Sequence, residues 1–197
     1  MLLAALMAMA IDVPTSDGAA GPALSGTLET FKTLCIASRA KGDAALKSAD
    51  ARGWAPPPPA MLANMPPTMK EMKNVQLRVS AAGNVTYVLI TGSDVDITNS
   101  GHPPPNDTCM VMGINVGTAD SNLKADVATW MGGEPSATSG PLTIYGFTEN
   151  AGARTILKYT QDKEAQQAFD KGQLYVVGLA SQDPVNLIIY VVPTQAK

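Results

Sequence analysis

Leu174-Tyr175-Val176-Val177-Gly178-Leu179-Ala180 and Val185-Asn186-Leu187-Ile188-Ile189-Tyr190-Val191-Val192 are two apolar runs joined by Ser181-Gln182-Asp183-Pro184. Runs of this kind on either side of a short turn-forming stretch read as an antiparallel hairpin. The same arrangement occurs twice more upstream. Val75-Gln76-Leu77-Arg78-Val79 alternates apolar and polar, Ala82-Gly83-Asn84 turns, and Val85 to Ile90 returns. Leu142 to Thr148 and Arg154 to Thr160 flank Asn150-Ala151-Gly152. Cys109 to Val116 reads as a further, largely buried strand. Hairpins without parallel strand–helix–strand crossovers predict an α+β fold, an antiparallel sheet with helices packed on one face.

Helical spacing fills the intervals. Thr27 is placed to cap a helix with Leu28, Phe31, Leu34 and Cys35 on its apolar side. Lys41-Gly42 breaks it, and Asp43 caps a second helix carrying Ala44, Ala45, Leu46 and Ala49, completing an N-terminal helical pair. Gly53 suits a left-handed stop, with Trp54 folding back onto the last turn. Asp120 or Ser121 opens a helix with Leu123, Val127, Trp130 and Met131 on one face, ended by Gly132-Gly133. Asp162 caps a short one through Phe169, ended by Gly172. Helix, glycine and hairpin follow one another three times, but the intervals and residues differ, so no sequence repeat is present.

The 197 residues suit one domain. Residues 1–26 form an apolar start and lead, and residues 27–197 a single α+β domain with a Pro/Met-rich loop at 55–73. In that loop Pro56-Pro57-Pro58-Pro59 and Pro66-Pro67 bracket Met61, Met65, Met69 and Met72. Four prolines in a row predict a stiff polyproline II spacer rather than a ligand for a proline-recognising partner. Clustered thioethers could take a soft cation such as Cu(I). The plainer expectation is an adaptable apolar flap over the core, and no cofactor or metal is expected.

Met1 to Ala10 is uniformly apolar, ends Ala8-Met9-Ala10, and runs into Asp12-Val13-Pro14-Thr15-Ser16-Asp17-Gly18. That matches the apolar region and small-residue cleavage site of a secretory signal peptide. The basic opening of such a peptide is missing, since the first Lys or Arg is Lys32; either the start lies further upstream, or the segment is only a floppy apolar terminus. Asp12 interrupts the run well short of the roughly 20 apolar residues that span a bilayer, so no transmembrane anchor is expected. The expected location is periplasmic or secreted, with the cytoplasm as the alternative. A formal charge of −3 and scattered Lys and Arg argue against a nucleic-acid partner. The expected partner is another protein, in an oligomeric state that sequence does not specify.

The chain has two cysteines, Cys35 and Cys109, and one histidine, too few for a Cys/His zinc site. An even pair in an exported chain predicts one disulfide; the alternative is two buried thiols. Cys35, Gly42-Asp43-Ala44-Ala45, Ala49 and Gly53-Trp54 resemble the N-terminal helical motif of small exported proteins of Gram-negative bacteria that have no assigned activity. In those proteins a second Cys follows the first hairpin, the place Cys109 takes here. The resemblance covers about the first half of the chain. It implies export and a disulfide, and it assigns no catalytic residue.

Asp94-Val95-Asp96-Ile97-Thr98 follows the strand Tyr87 to Ile90, as the nucleophile loop follows a strand in phosphotransferases of the haloacid dehalogenase type. There the first Asp attacks phosphorus and the second serves as acid and base beside Mg²⁺. Here Thr91-Gly92-Ser93 intervenes and no parallel pattern surrounds the motif, so solvated turn residues are the stronger expectation. An EF-hand would need Gly at Asn99 and Glu at Pro105. His102 sits in a Gly-His-Pro-Pro-Pro loop without a Gly-x-Ser-x-Gly partner motif, and is expected to be a surface residue. Asn84-Val85-Thr86 and Asn106-Asp107-Thr108 match the N-glycosylation acceptor pattern. The expected function is therefore an exported, non-catalytic binding or structural accessory protein. The rival is a phosphatase-like hydrolase centred on Asp94 and Asp96, with His102.

Overall fold

The hairpins assemble into one eight-stranded sheet in which every pairing is antiparallel. The computed structural model describes residues 26–63, 65, 69, 72–95, 105–158 and 163–194. The signal-like start Met1 to Ala10, the expected cap Asp162 and the strand end Tyr159-Thr160 lie outside the described residues. The strands are β1 (Lys73–Ala82), β2 (Val85–Ser93), β3 (Asn106–Ile114), β4 (Ala137–Ser139), β5 (Leu142–Asn150), β6 (Ala153–Leu157), β7 (Tyr175–Gln182) and β8 (Val185–Pro193). Their order is β1-β2-β3-β8-β7-β5-β4, with β6 also on β5. β4 pairs with the start of β5 and β6 with its end, so the two short strands share one side of it. The last hairpin, made of the most apolar runs, lies in the middle.

Alternation along the strands builds two cores. Tyr87 and Leu89, Cys109 and Val111, Ile188 and Tyr190, Val177 and Leu179, and Tyr145 and Phe147 face one side. On this face lie α1 (Thr27–Phe31), which continues as a π-helical turn through Lys32–Ile36, and α2 (Gly42–Asp50). Leu123, Val127 and Met131 bring a further helix (Leu123–Met131) onto the same face. This is the expected α+β layer, with three helices on this face, led by a helical pair. The inner strands are apolar on both sides, so the second face needs cover as well. It is covered by α3 (Pro59–Ala63) with the methionine flap and, further along, by a short helix (Lys163–Asp170) that buries Ala165 and Ala168 on Val176 and Val191. In chain order the helix Leu123–Met131 is α4 and Lys163–Asp170 is α5.

Local signals set several boundaries. α2 starts at Gly42, one residue before the expected cap, and leaves Ala44 exposed. Gly53 adopts φ 77°, and the Trp54 N–H donates to the Ala49 carbonyl at 3.2 Å, so the chain does fold back onto the last turn. The proline stretch is more than a spacer. Ala55 exchanges two backbone hydrogen bonds with Val79 on the outer edge of β1 (2.9 and 2.8 Å), and Pro59 opens α3, where a missing N–H costs nothing. Arg78 on β1 pairs with Asp50 at the end of α2 at 2.5 Å.

Cys35 and Cys109 form a disulfide, with 5.4 Å between their Cα atoms and both side chains fully buried. It pins the π-helical turn to β3. About two turns earlier α1 lies so close to β3 that a Cβ on Gly113 would strike the Thr27 hydroxyl and stand 2.9 Å from Val116 Cγ1.

Tyr190 is buried in this core, edge-on to Phe31 at 6.5 Å. Burial, and then the Glu149 carboxylate, push its phenol up to about 12 from 10.0. Burial raises Tyr87 and Tyr145 as well. A raised phenol favours the neutral form in the folded state. Its contribution is therefore fully present below pH 10 and is lost as pH rises through about 12. Alkaline denaturation should show a downward slope of stability in that window, worth up to about 3 kcal/mol from Tyr190. Tyr190→Phe should flatten the slope, and an unchanged slope in that variant would contradict this origin.

Candidate functional site

α1 and α4 lie side by side on the first face and leave a cleft of about 410 Å³ between them. Leu28, Leu123 and Trp130 give its walls an apolar character, while Glu29, Lys32 and Asp126 place charges of both signs around it. Among the described residues Trp130 is the one large aromatic on this wall, and it is only half-buried. Phe31 holds it edge-on at 5.9 Å. The Arg154 guanidinium lies 4.6 Å from its ring centre and the Lys32 ammonium 5.4 Å. The cationic and aromatic contacts continue outward. Arg154 also covers Phe147 at 5.4 Å, Phe147 stacks on Tyr175 at 5.6 Å, and Arg39 pairs with Glu149 at 3.6 Å. The indole is thereby fixed in orientation while part of it stays in contact with solvent.

Asp120 lines the cleft and also a second, adjoining hollow of about 180 Å³ beside Ser181, Asp183 and Asn186. Asp120 is 8 % exposed, and its carboxylate accepts three hydrogen bonds: from the Thr27 N–H at 2.8 Å, from the Thr27 hydroxyl, and from Asn186 Nδ2 at 2.9 Å. Ser181 Oγ in turn donates to Asn186 Oδ1 at 2.6 Å, and the Gly26 N–H donates to the Tyr87 hydroxyl at 2.9 Å. The expectation that Asp120 caps its own helix is corrected. α4 is entered from Asn122 without a side-chain cap, and Asp120, in a 3₁₀ turn at Gly117–Asp120, caps α1 instead. Thr27 likewise caps nothing itself: Gly26 precedes the helix, and Thr27 is its first residue. Orphan N–H donors at a helix start need an acceptor, and here a distant carboxylate supplies it. The sequence carries no mark of this, because the partners are 93 and 66 residues away.

Asp94 follows β2 in the left-handed conformation, φ 57°. Its carboxylate pairs with Lys73 at 2.9 Å, and its N–H donates to the Asn106 carbonyl at 3.0 Å. The Asn106 amide then clamps Val95, accepting from its N–H at 3.1 Å and donating to its carbonyl at 3.0 Å. The nearby Asp107 carboxyl is raised by burial, opposed by Lys41 and reinforced by Asp94. Asp96 and His102 lie outside the described residues. β2 runs antiparallel to both neighbours, whereas the phosphotransferase loop follows a parallel strand. Among the described residues no group of three or more His, Cys, Asp and Glu is placed to hold a metal. Asn106 is buried, so of the two glycosylation patterns only the one at Asn84 is exposed.

The residues that line the Trp130 cleft come from α1 and the turn that continues it, from α4, and from Asp120 in the 3₁₀ turn. Comparison with known proteins returns no family model, curated protein or solved structure that matches the chain.

Proposed function

We propose that this chain is an exported, non-catalytic binding or accessory protein that engages another protein through the α1–α4 cleft. The observation that carries the reading is Trp130, half-exposed yet fixed by Phe31, Lys32 and Arg154. Tryptophan and arginine dominate the energetics of protein interfaces, and a side chain held in place before contact loses little entropy on binding. The fully buried Cys35–Cys109 disulfide supports export, since such bonds persist in oxidising compartments. Support for a non-catalytic role comes from what the carboxylates hold: buried Asp120 holds α1 and Asn186, and half-buried Asp94 pairs with exposed Lys73.

The test is photo-crosslinking in the native host from a reactive residue at exposed Thr129, on the rim of the cleft. A discrete adduct is expected. Trp130→Ala should weaken the isolated complex about thirtyfold or more, the size of an interface hot spot. Adducts indifferent to Trp130→Ala, or none at all, would sink the proposal. Fractionation belongs beside it, because recovery of the chain from the cytoplasm with two alkylatable thiols would overturn export.

A further inference from the structure

The two faces of the sheet are packed with different chemistry. Among the described residues, 23 are buried in the core beneath α1, α2 and α4, and one of them is a methionine, Met131. Of the 12 in the cluster on the opposite face five are: Met61, Met69, Met72, Met110 and Met112. Half-buried Met65 packs against them. Both cores rest largely on the same strands, so neither overall composition nor strand propensity explains the contrast. Methionine fills irregular gaps well, which accounts for one or two. Five sulfurs drawn from α3, from the segment leading into β1 and from β3 call for something more.

All five belong to one packed cluster on this face. Met110 and Met112 are alternate residues of β3 and point to the same face. They stand opposite Ile90 and Val88 on one side, and Ile189 and Leu187 on the other. Met72 lies over the neighbouring strand, its methyl carbon 2.6 Å from where a Cβ on Gly92 would be. Gly92 pairs with Thr108, two residues before Met110, so the missing side chain leaves room for a thioether beside β3. Met61 and Met69 join from the flap, and none of the five is more than 7 % exposed.

A thioether is a neutral, polarizable sulfur ligand that carries no proton to lose. It favours soft cations such as Cu(I), while oxygen-seeking Mg²⁺ and Ca²⁺ gain little from it. We propose that the thioethers of Met61, Met69, Met72, Met110 and Met112 form a binding site for a soft monovalent cation of the Cu(I) type. The site faces away from the α1–α4 cleft and does not depend on the partner reading. Ligands from both flap and sheet also mean that the cation ties one to the other, so binding raises thermal stability.

The probe is Ag(I), which shares this softness and needs no reductant, so the disulfide stays intact. The full chain, labelled with ¹³C at the methionine methyls, is titrated with Ag(I) and followed by NMR. Methyl signals of the five residues should shift together and saturate, while Met131 in the opposite core stays put. The Met110→Leu/Met112→Leu variant nearly conserves volume and is expected to fold. It should lose the saturable response and the rise in thermal midpoint. Unmoved methyls, equal unsaturating shifts of every methionine, or unchanged binding in the variant would each overturn the proposal. Should that variant be unstable, Met72→Leu gives the same comparison.

Discussion

Replacing Cys35 and Cys109 together by alanine is expected to lower the unfolding free energy by about 4 kcal/mol, read as a drop of at least 1 M in the urea midpoint. The bridge spans 74 positions, and a closed loop of that length removes much conformational freedom from the unfolded chain. Total stabilities of single domains are about 5–15 kcal/mol, so the loss is a large fraction of what holds the fold. The effect is also local. The bond joins the π-helical turn after α1 to central strand β3, and both side chains are fully buried, so alanine leaves a void as well. Hydrogen exchange in α1 should therefore accelerate more than exchange in β7 and β8. Reducing the unaltered protein should reproduce the loss, and a change below about 1 kcal/mol would mean that the crosslink does not constrain the unfolded chain.

Much of this fold is legible in the chain because its signals are local. Each hairpin combines an apolar run, a turn and a second run, and β1–β2, β5–β6 and β7–β8 pair as those signals imply. Gly53, Gly132 and Gly172 end their helices with positive φ as expected. The elements that escape the sequence are those created by tertiary contact. β4 is three residues long and exists because Leu142 to Ile144 offers it a partner. α3 opens on Pro59 inside a stretch that reads as spacer, and Met61 finds its place only once β2 and β3 present an apolar face. That α3 and α5 cover the second face follows from central strands buried on both sides, which becomes clear only when β8 is seen between β3 and β7. The candidate site fares likewise. Trp130 reads as an inward-facing helical residue, and nothing near it in sequence announces Lys32 or Arg154 as neighbours.

Asp120→Ala is expected to cost about 3–4 kcal/mol and to loosen α1 from the sheet. The carboxylate accepts from the Thr27 N–H, the Thr27 hydroxyl and Asn186 Nδ2, and alanine strands all three. A buried donor left unpaired costs about 1–3 kcal/mol. The hydroxyl can turn elsewhere, and water can enter from the hollows on either side, so the three penalties do not add in full. Asp120→Asn should cost less, because one amide oxygen still accepts while the NH₂ meets another donor. The network predicts non-additivity: Thr27→Ala should cost clearly less in the Asp120→Ala background than in the unaltered protein. Additive costs would mean that Thr27 and Asp120 act separately and that α1 is held by packing and the disulfide alone. Because Gly26 and Asp120 both line the cleft, freeing α1 should also make Trp130 emission shift red as its wall opens. If Asp120→Ala fails to fold, Asn186→Ala removes one donor and leaves the α1 cap intact. It should lower stability without moving Trp130 emission, which separates the carboxylate's role in anchoring α1 from its bond to β8.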